Sequence, residues 1–186
     1  GEYTMPLAHT VLTSLLCLFL MLPVMTDAEA AGDKGQNMGQ VKPPLDKKLD
    51  KKTEERGRYL IKIAGCNDCH TTGYAEAAGK IPEQDWLKGD SIGWRGPWGT
   101  TYASNLRLYM QNLSEGQWIQ VSRAVEFRPP MPWFVLREMT DEDLRAIYRL
   151  IRHLGPAGEP APTYLPPDQE PPKPYILFPS SGEASK

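Results

Sequence analysis

Ala64-Gly65-Cys66-Asn67-Asp68-Cys69-His70 is the stretch on which the reading of the whole chain turns. Cys66 and Cys69 stand three positions apart, so in a helical turn both thiols lie on one face. His70 follows directly and sets an imidazole beside them. Such a run supplies two thioether bonds to the vinyl groups of a porphyrin and one nitrogen to its iron. Rival chemistries each lack a component. A structural zinc site needs four ligands, and beyond an N-terminal leader the chain has no second cysteine pair and only one other histidine, His153. A thioredoxin-like pair belongs in a βαβ setting, which the helical pattern here does not offer. A plain disulfide leaves His70 without a role. The expectation is one covalently bound haem c, held by Cys66 and Cys69, with His70 as an axial ligand.

Upstream of this run, the charged stretch Asp46–Arg58 with its interspersed apolar residues predicts a helix from Leu45 to about Ala64. Its expected inner positions are Leu45, Leu49, the alkyl stem of Arg56, Tyr59 or Leu60, and Ile63; the charges form a solvated face. Residues 31–44 are rich in Gly, Lys and Pro without an apolar period and read as a flexible lead-in. Before them, Val11–Met25 is mostly apolar and is followed by Thr26-Asp27-Ala28-Glu29-Ala30. That pattern predicts a signal peptide over residues 1–30 and export to the periplasm. A spanning helix needs ~20 apolar residues, so membrane attachment through residues 11–25 is the alternative if the leader is retained. Without residues 1–30 the chain carries 21 Lys and Arg against 20 Asp and Glu. This balance excludes nucleic acid as a partner, which requires a basic excess.

Downstream, residues 71–105 are glycine-rich and read as loop with one short turn near Pro82–Lys88. Ser114 and Gln117 form a capping box for a helix whose inner positions are Trp118, Val121 and Val125. Thr140 followed by Asp141, Glu142 and Asp143 starts the last helix. Leu144, Ile147, Tyr148, Ile151 and Leu154 form its apolar stripe, and Gly155-Pro156 ends it. Residues 156–186 form a proline-rich tail of extended backbone. Tyr164, Tyr175, Ile176, Leu177 and Phe178 interrupt it, so the tail is expected to wrap the domain at 45–155 or to dock on a partner.

A haem with one histidine ligand needs a second group or keeps an open position. The candidates are Met38, Met110, Met131, Met139 and His153. Met139 precedes the last helix, where it can staple to Leu144, and His153 falls on the solvent side of that helix. Met131 stands in Arg128-Pro129-Pro130-Met131-Pro132-Trp133, where prolines limit the backbone freedom lost when a thioether is held at a metal. Met131 is the expected sixth ligand, with Met110 as its rival. His/Met ligation raises the haem potential and closes the iron to small ligands.

With these features the chain resembles the class I c-type cytochromes. The shared pattern is a helix leading into Cys66-Asn67-Asp68-Cys69-His70, a methionine loop at Met131 and a final amphipathic helix. The segments LSEGQWIQ (113–120), PPMPWFVLREMTDEDLRAIY (129–148) and LGPAGEPAP (154–162) are similar to cytochrome c domains of bacterial dehydrogenase electron-transfer chains. The resemblance implies an all-α cytochrome c-like domain in which the first and last helices cross near a glycine and an aromatic, here Gly57 and Tyr148. It also implies a carbonyl near a Gly-Pro that accepts the ligand histidine's N–H. The nearest such pair, Gly96-Pro97, lies 27 residues beyond His70, which leaves Pro97 a distant match. Arg95, Trp98, Tyr102 and Asn105 become donors for the haem carboxylates, although core packing accounts for Trp98 and Tyr102 as readily. The implied function is electron transfer rather than catalysis, with a dehydrogenase as donor and an oxidase or another cytochrome as acceptor. Haem-based catalysis or gas sensing is the alternative if Met131 does not ligate the iron.

Overall fold

Asp50 begins the first helix by accepting the backbone N–H of Thr53 at 2.9 Å and its hydroxyl at 2.7 Å, which satisfies a donor that the helix leaves free. The structure is a computed structural model and describes residues 49–179. The expected leader, the lead-in, Leu45 and the last residues of the tail lie outside that range. Helix α1 spans Lys51–Ile63 and α2 Cys66–His70. Strands β1 (Gly93–Gly96) and β2 (Gly99–Tyr102) follow, then α3 (Leu106–Tyr109), α4 (Glu115–Ala124), α5 (Trp133–Glu138) and α6 (Asp141–Leu154), and finally β3 (Tyr175–Leu177). No helix among the described residues is long and apolar enough to cross a membrane.

The start signals of α4 and α6 act as their residue types dictate. Ser114 and Gln117 form a reciprocal capping box, and the Thr140 side chain accepts from Asp143 N. Leu144, Ile147, Tyr148 and Ile151 are buried, together with Ala146 and Leu150. Burying each large aliphatic side chain contributes roughly 1.5–3 kcal/mol. Helix α6 packs along α1 at Gly57, where an added Cβ would stand 2.5 Å from the Ala146 carbonyl oxygen and 3.0 Å from Leu150 Cβ. The crossing is therefore close enough to exclude any side chain at 57. Arg56 and Asp143 bridge the same two helices at 2.7 Å, and this ion pair holds the Asp143 carboxyl below its usual range.

Three expectations need correction. The inner face of α1 is Gly57, Leu60 and Ile61, whereas Arg56, Tyr59 and Ile63 are exposed, the last at 61%. The helix is rotated so that its glycine meets α6. In α4 the buried positions are Trp118 and Ser122, and Val125 is exposed beyond the helix end. Trp118 is anchored by its indole N–H, which donates to the Leu144 carbonyl at 2.9 Å. The third correction concerns residues 71–105, expected as loop, which contain a short hairpin. Gly93–Gly96 and Gly99–Tyr102 pair antiparallel as a hairpin turning at Pro97-Trp98, and Tyr175–Leu177 adds a strand parallel to β1. The third strand comes from the proline-rich tail, which packs on the domain rather than leaving it.

Two arginines tie the helix ends together, Arg107 buried and Arg123 half-buried. Arg107 donates to the carbonyls of Leu154 and Gly155 at the end of α6. Arg123 donates to Leu136, Arg137 and Met139 at the end of α5 and pairs with Asp141. Each satisfies carbonyls that the helix leaves without partners and complements the local dipole.

The Gly57 crossing makes a signed prediction. In an exposed helix Gly→Ala stabilises by roughly 1 kcal/mol. Gly57→Ala is expected instead to destabilise by about 1–3 kcal/mol, because the helices must separate. Chemical denaturation of the two proteins measures this, and a gain in stability would contradict the close crossing.

Candidate cofactor site

Gly65 adopts φ 70° between α1 and α2 and turns the chain so that α2 begins at once. Cys66, Cys69 and His70 then line a pocket that, with the open solvent at its mouth included, encloses about 910 Å³. Met131, Val135, Leu136 and Met139 line the same pocket, together with Ile61, Ile147 and Ile151. Among the described residues no Asp, Glu, Lys or Arg lines it. A second lobe, about 600 Å³ on the same solvent-inclusive measure, is lined by Cys69, His70 and Met131 again, with Trp94, Thr101, Tyr102, Ser104, Phe127, Arg128 and Pro130.

His70 is 7% exposed, and its Nδ1 lies 2.7 Å from the Ser104 carbonyl oxygen. A carbonyl only accepts, so Nδ1 carries the proton and Nε2 keeps its lone pair. Burial lowers the histidine's pKa, opposed by the Ser104 contact. A neutral ring fixed through one nitrogen is the form that binds a metal through the other. Ser104 reaches His70 because three backbone segments stack here. Gly89 N donates to the His70 carbonyl at 2.8 Å, and Asp90 N to the Ala103 carbonyl at 3.0 Å. Gly89 sits at φ 84°, and a Cβ there would stand 2.8 Å from the Ala103 carbonyl oxygen.

The cysteines are not joined to each other. Burial pushes the Cys66 thiol up to about 11, and burial followed by Asp68 and Asp90 raises Cys69. Reactive or metal-binding thiolates need positive surroundings that lower the pKa, and this pair has the opposite. Among the described residues no group of three His, Cys, Asp or Glu side chains could hold a metal ion between them. The chemistry is that of neutral thiols beside an apolar slot. Two such thiols, one oriented imidazole and the thioethers lining the same pocket have the donor chemistry to hold a flat, mostly apolar macrocycle that brings its own metal.

Of the expected sixth ligands, Met131 lines both lobes, while Met110 and Met139 line only the larger. Met110 is fully buried in the core. His153 is exposed and away from the cavity, and Met38 lies outside the described residues. The Met131 loop is held from two sides. Met131 N donates to the Arg128 carbonyl at 3.3 Å, and the Thr101 hydroxyl of β2 donates to the Pro129 carbonyl at 2.6 Å.

The remaining expected site residues divide. Tyr102 lines the smaller lobe, and its buried hydroxyl has no partner among the described residues. Pro97 is exposed at the hairpin turn, and the carbonyl beside His70 belongs to Ser104 instead. Arg95 donates to the Gln169 carbonyl at 2.5 Å and pairs with Glu170 at 3.3 Å, so it holds the tail. Trp98 packs against Phe178 with ring centroids 5.3 Å apart. Asn105 caps α3 and donates to the carbonyls of Ala157 and Glu159. Ser104 and Arg128 were not expected. The Ser104 contact is made by backbone and has no side-chain signature, whereas Arg128 is visible as the one cation flanking the Met131 prolines.

No known family model, curated protein or solved structure matches the chain. The site's own residues therefore carry its interpretation.

Gly89→Ala tests the stacked backbone beneath His70. The positive φ and the short carbonyl approach predict a loss of about 1–3 kcal/mol. The variant should also loosen the His70–Ser104 contact, read as faster exchange of the imidazole N–H proton by NMR. Wild-type stability and exchange together would contradict the arrangement.

Proposed function

We propose that this chain is a single-haem c-type cytochrome of the class I kind, an electron carrier rather than an enzyme. The observation that carries the proposal is the shared apolar cavity. Cys66, Cys69 and His70 line it with Met131, and His70 is oriented by the Ser104 carbonyl. Cys66 and Cys69 would hold the haem by adding their S–H bonds across its two vinyl groups, and His70 and Met131 would bind its iron. When bound, the haem supplies an iron that takes up and returns one electron between Fe(III) and Fe(II).

The chain's own part is to keep that position rigid and dry. The Ser104 carbonyl holds the His70 ring in one orientation and one tautomer. Pro130 and Pro132 flank Met131, and Thr101 ties the loop to β2, so little backbone rearrangement is available to the thioether. Among the described residues the larger lobe has no charged side chain in its lining, which would favour the less charged Fe(II) state of a bound haem and so raise its potential. The apolar run at 11–25 with its small-residue site supports export, which would place the protein in the periplasm. There it would connect a dehydrogenase to an oxidase or another cytochrome.

A second reading follows from Met110 and Met139, which line the same cavity. If none of the three methionines binds the iron, a small ligand gains access and the protein becomes a haem-based catalyst or gas sensor.

Absorption spectra of the holoprotein, with and without carbon monoxide, separate these readings. The wild type is expected to show the ferric methionine–iron charge-transfer band and to ignore the gas. Met131→Ala should lose the band and bind carbon monoxide. A wild-type protein that binds carbon monoxide readily would overturn electron transfer in favour of the second reading.

A further inference from the structure

The two lobes of the cavity differ in charge. Among the described residues the only Asp, Glu, Lys or Arg lining either lobe is Arg128, in the smaller one. A haem carries two carboxylates, and burying them unpaired among the apolar walls of the larger lobe would be strongly unfavourable. The smaller lobe offers Arg128 and the unpartnered hydroxyl of Tyr102.

Arg128 does not stand alone. Its guanidinium lies 4.0 Å from the centre of the Tyr164 ring, well inside cation–π range. Tyr164 belongs to the proline-rich C-terminal segment and donates its hydroxyl to the Trp98 carbonyl at 2.9 Å. The next residue, Leu165, exchanges both backbone hydrogen bonds with Thr100, at 2.7 and 3.0 Å. Further along, Phe178 packs on Trp94 and Trp98, and Phe178 N donates to the Arg95 carbonyl at 2.7 Å. These anchors fall on the hairpin that carries Trp94, Thr101 and Tyr102 into the smaller lobe.

We propose that the C-terminal segment is a strap whose Tyr164 positions Arg128 as the counter-charge of the haem carboxylates. The inference rests on the haem reading above. Arg128 is the binding residue and Tyr164 acts through it. A guanidinium offers a planar pair of donors to a carboxylate, and the ring beneath it limits the orientations that the exposed side chain samples. A positive charge near the haem also favours the more electron-rich Fe(II) state. The tail therefore helps to set the potential, and its prolines lower the entropy lost in holding it down.

Spectroscopic redox titration of the holoprotein tests the strap, using wild type, Arg128→Gln, Arg128→Lys, Tyr164→Leu and the Arg128→Gln/Tyr164→Leu double variant. Arg128→Gln should lower the midpoint potential by the equivalent of a several-fold loss in electron affinity, less than the ~59 mV of a tenfold change for one electron. Tyr164→Leu should lower it in the same direction by less. The double variant should match Arg128→Gln, because Tyr164 acts only through the arginine. Arg128→Lys, which keeps the charge but not the planar stack, should fall between wild type and Arg128→Gln, and it decides the matter if Tyr164→Leu does not fold. An unchanged potential in Arg128→Gln would overturn the counter-charge, and additive shifts in the double variant would overturn the strap. Failure of the haem reading looks different, since the purified wild type would then show no haem absorbance to titrate.

Discussion

The backbone of α1 meets the backbone of α6 at Gly57, and the rest of the domain is arranged by that contact. With no side chain at 57, the two helices close until an added Cβ would overlap the Ala146 carbonyl oxygen. This turns Leu60 and Ile61 into the core and leaves Tyr59 and Ile63 outside. It also fixes the direction in which α1 delivers the chain to Gly65, and hence the wall of the cavity on which Cys66, Cys69 and His70 stand. Helix α4 packs against both α6 and the short α5, and α5 and α6 both contribute residues to the pocket lining. The site is thus framed by one close crossing together with the helix ends that Arg107 and Arg123 satisfy.

A polar scaffold refines what the helices frame. The stack of residues 70–72, 89–90 and 103–105 exists because Gly89 admits a carbonyl where any other residue would put a Cβ. Its product is one carbonyl, that of Ser104, aimed at one ring nitrogen. Buried imidazoles without such a partner are free to rotate or to change tautomer. On the other side, the hairpin and the C-terminal segment support the loop carrying Met131, so that side chains far apart in the chain share a single void.

How far the sequence was legible depends on the range of the interaction concerned. Helix α6 was readable because its cap, its acidic first turn and its stripe are all local signals that agree. The thiol pair and His70 were readable because their chemistry is contained in five consecutive residues. The inward face of α1 was misjudged because a pattern of apolar residues gives no weight to glycine, and Gly57 is the residue that sets the rotation. The hairpin was read as loop because four-residue strands are too short to show alternation, and its third strand lies more than seventy residues later. Arg95 and Asn105 have the right chemistry for haem carboxylates, yet long-range contacts with the tail engage both. Ser104 acts through its backbone, to which a side-chain motif is blind.

The central claim is that Cys66 and Cys69 carry a covalently bound haem, and intact-mass spectrometry with peptide mapping tests it most directly. The protein should be exported by a host that matures c-type cytochromes and then fully denatured before measurement. The account predicts a mass of the polypeptide plus one haem, on a peptide containing residues 66–70, with neither cysteine open to alkylation. The bare polypeptide mass, with both thiols alkylated or joined to each other as a disulfide, would contradict it.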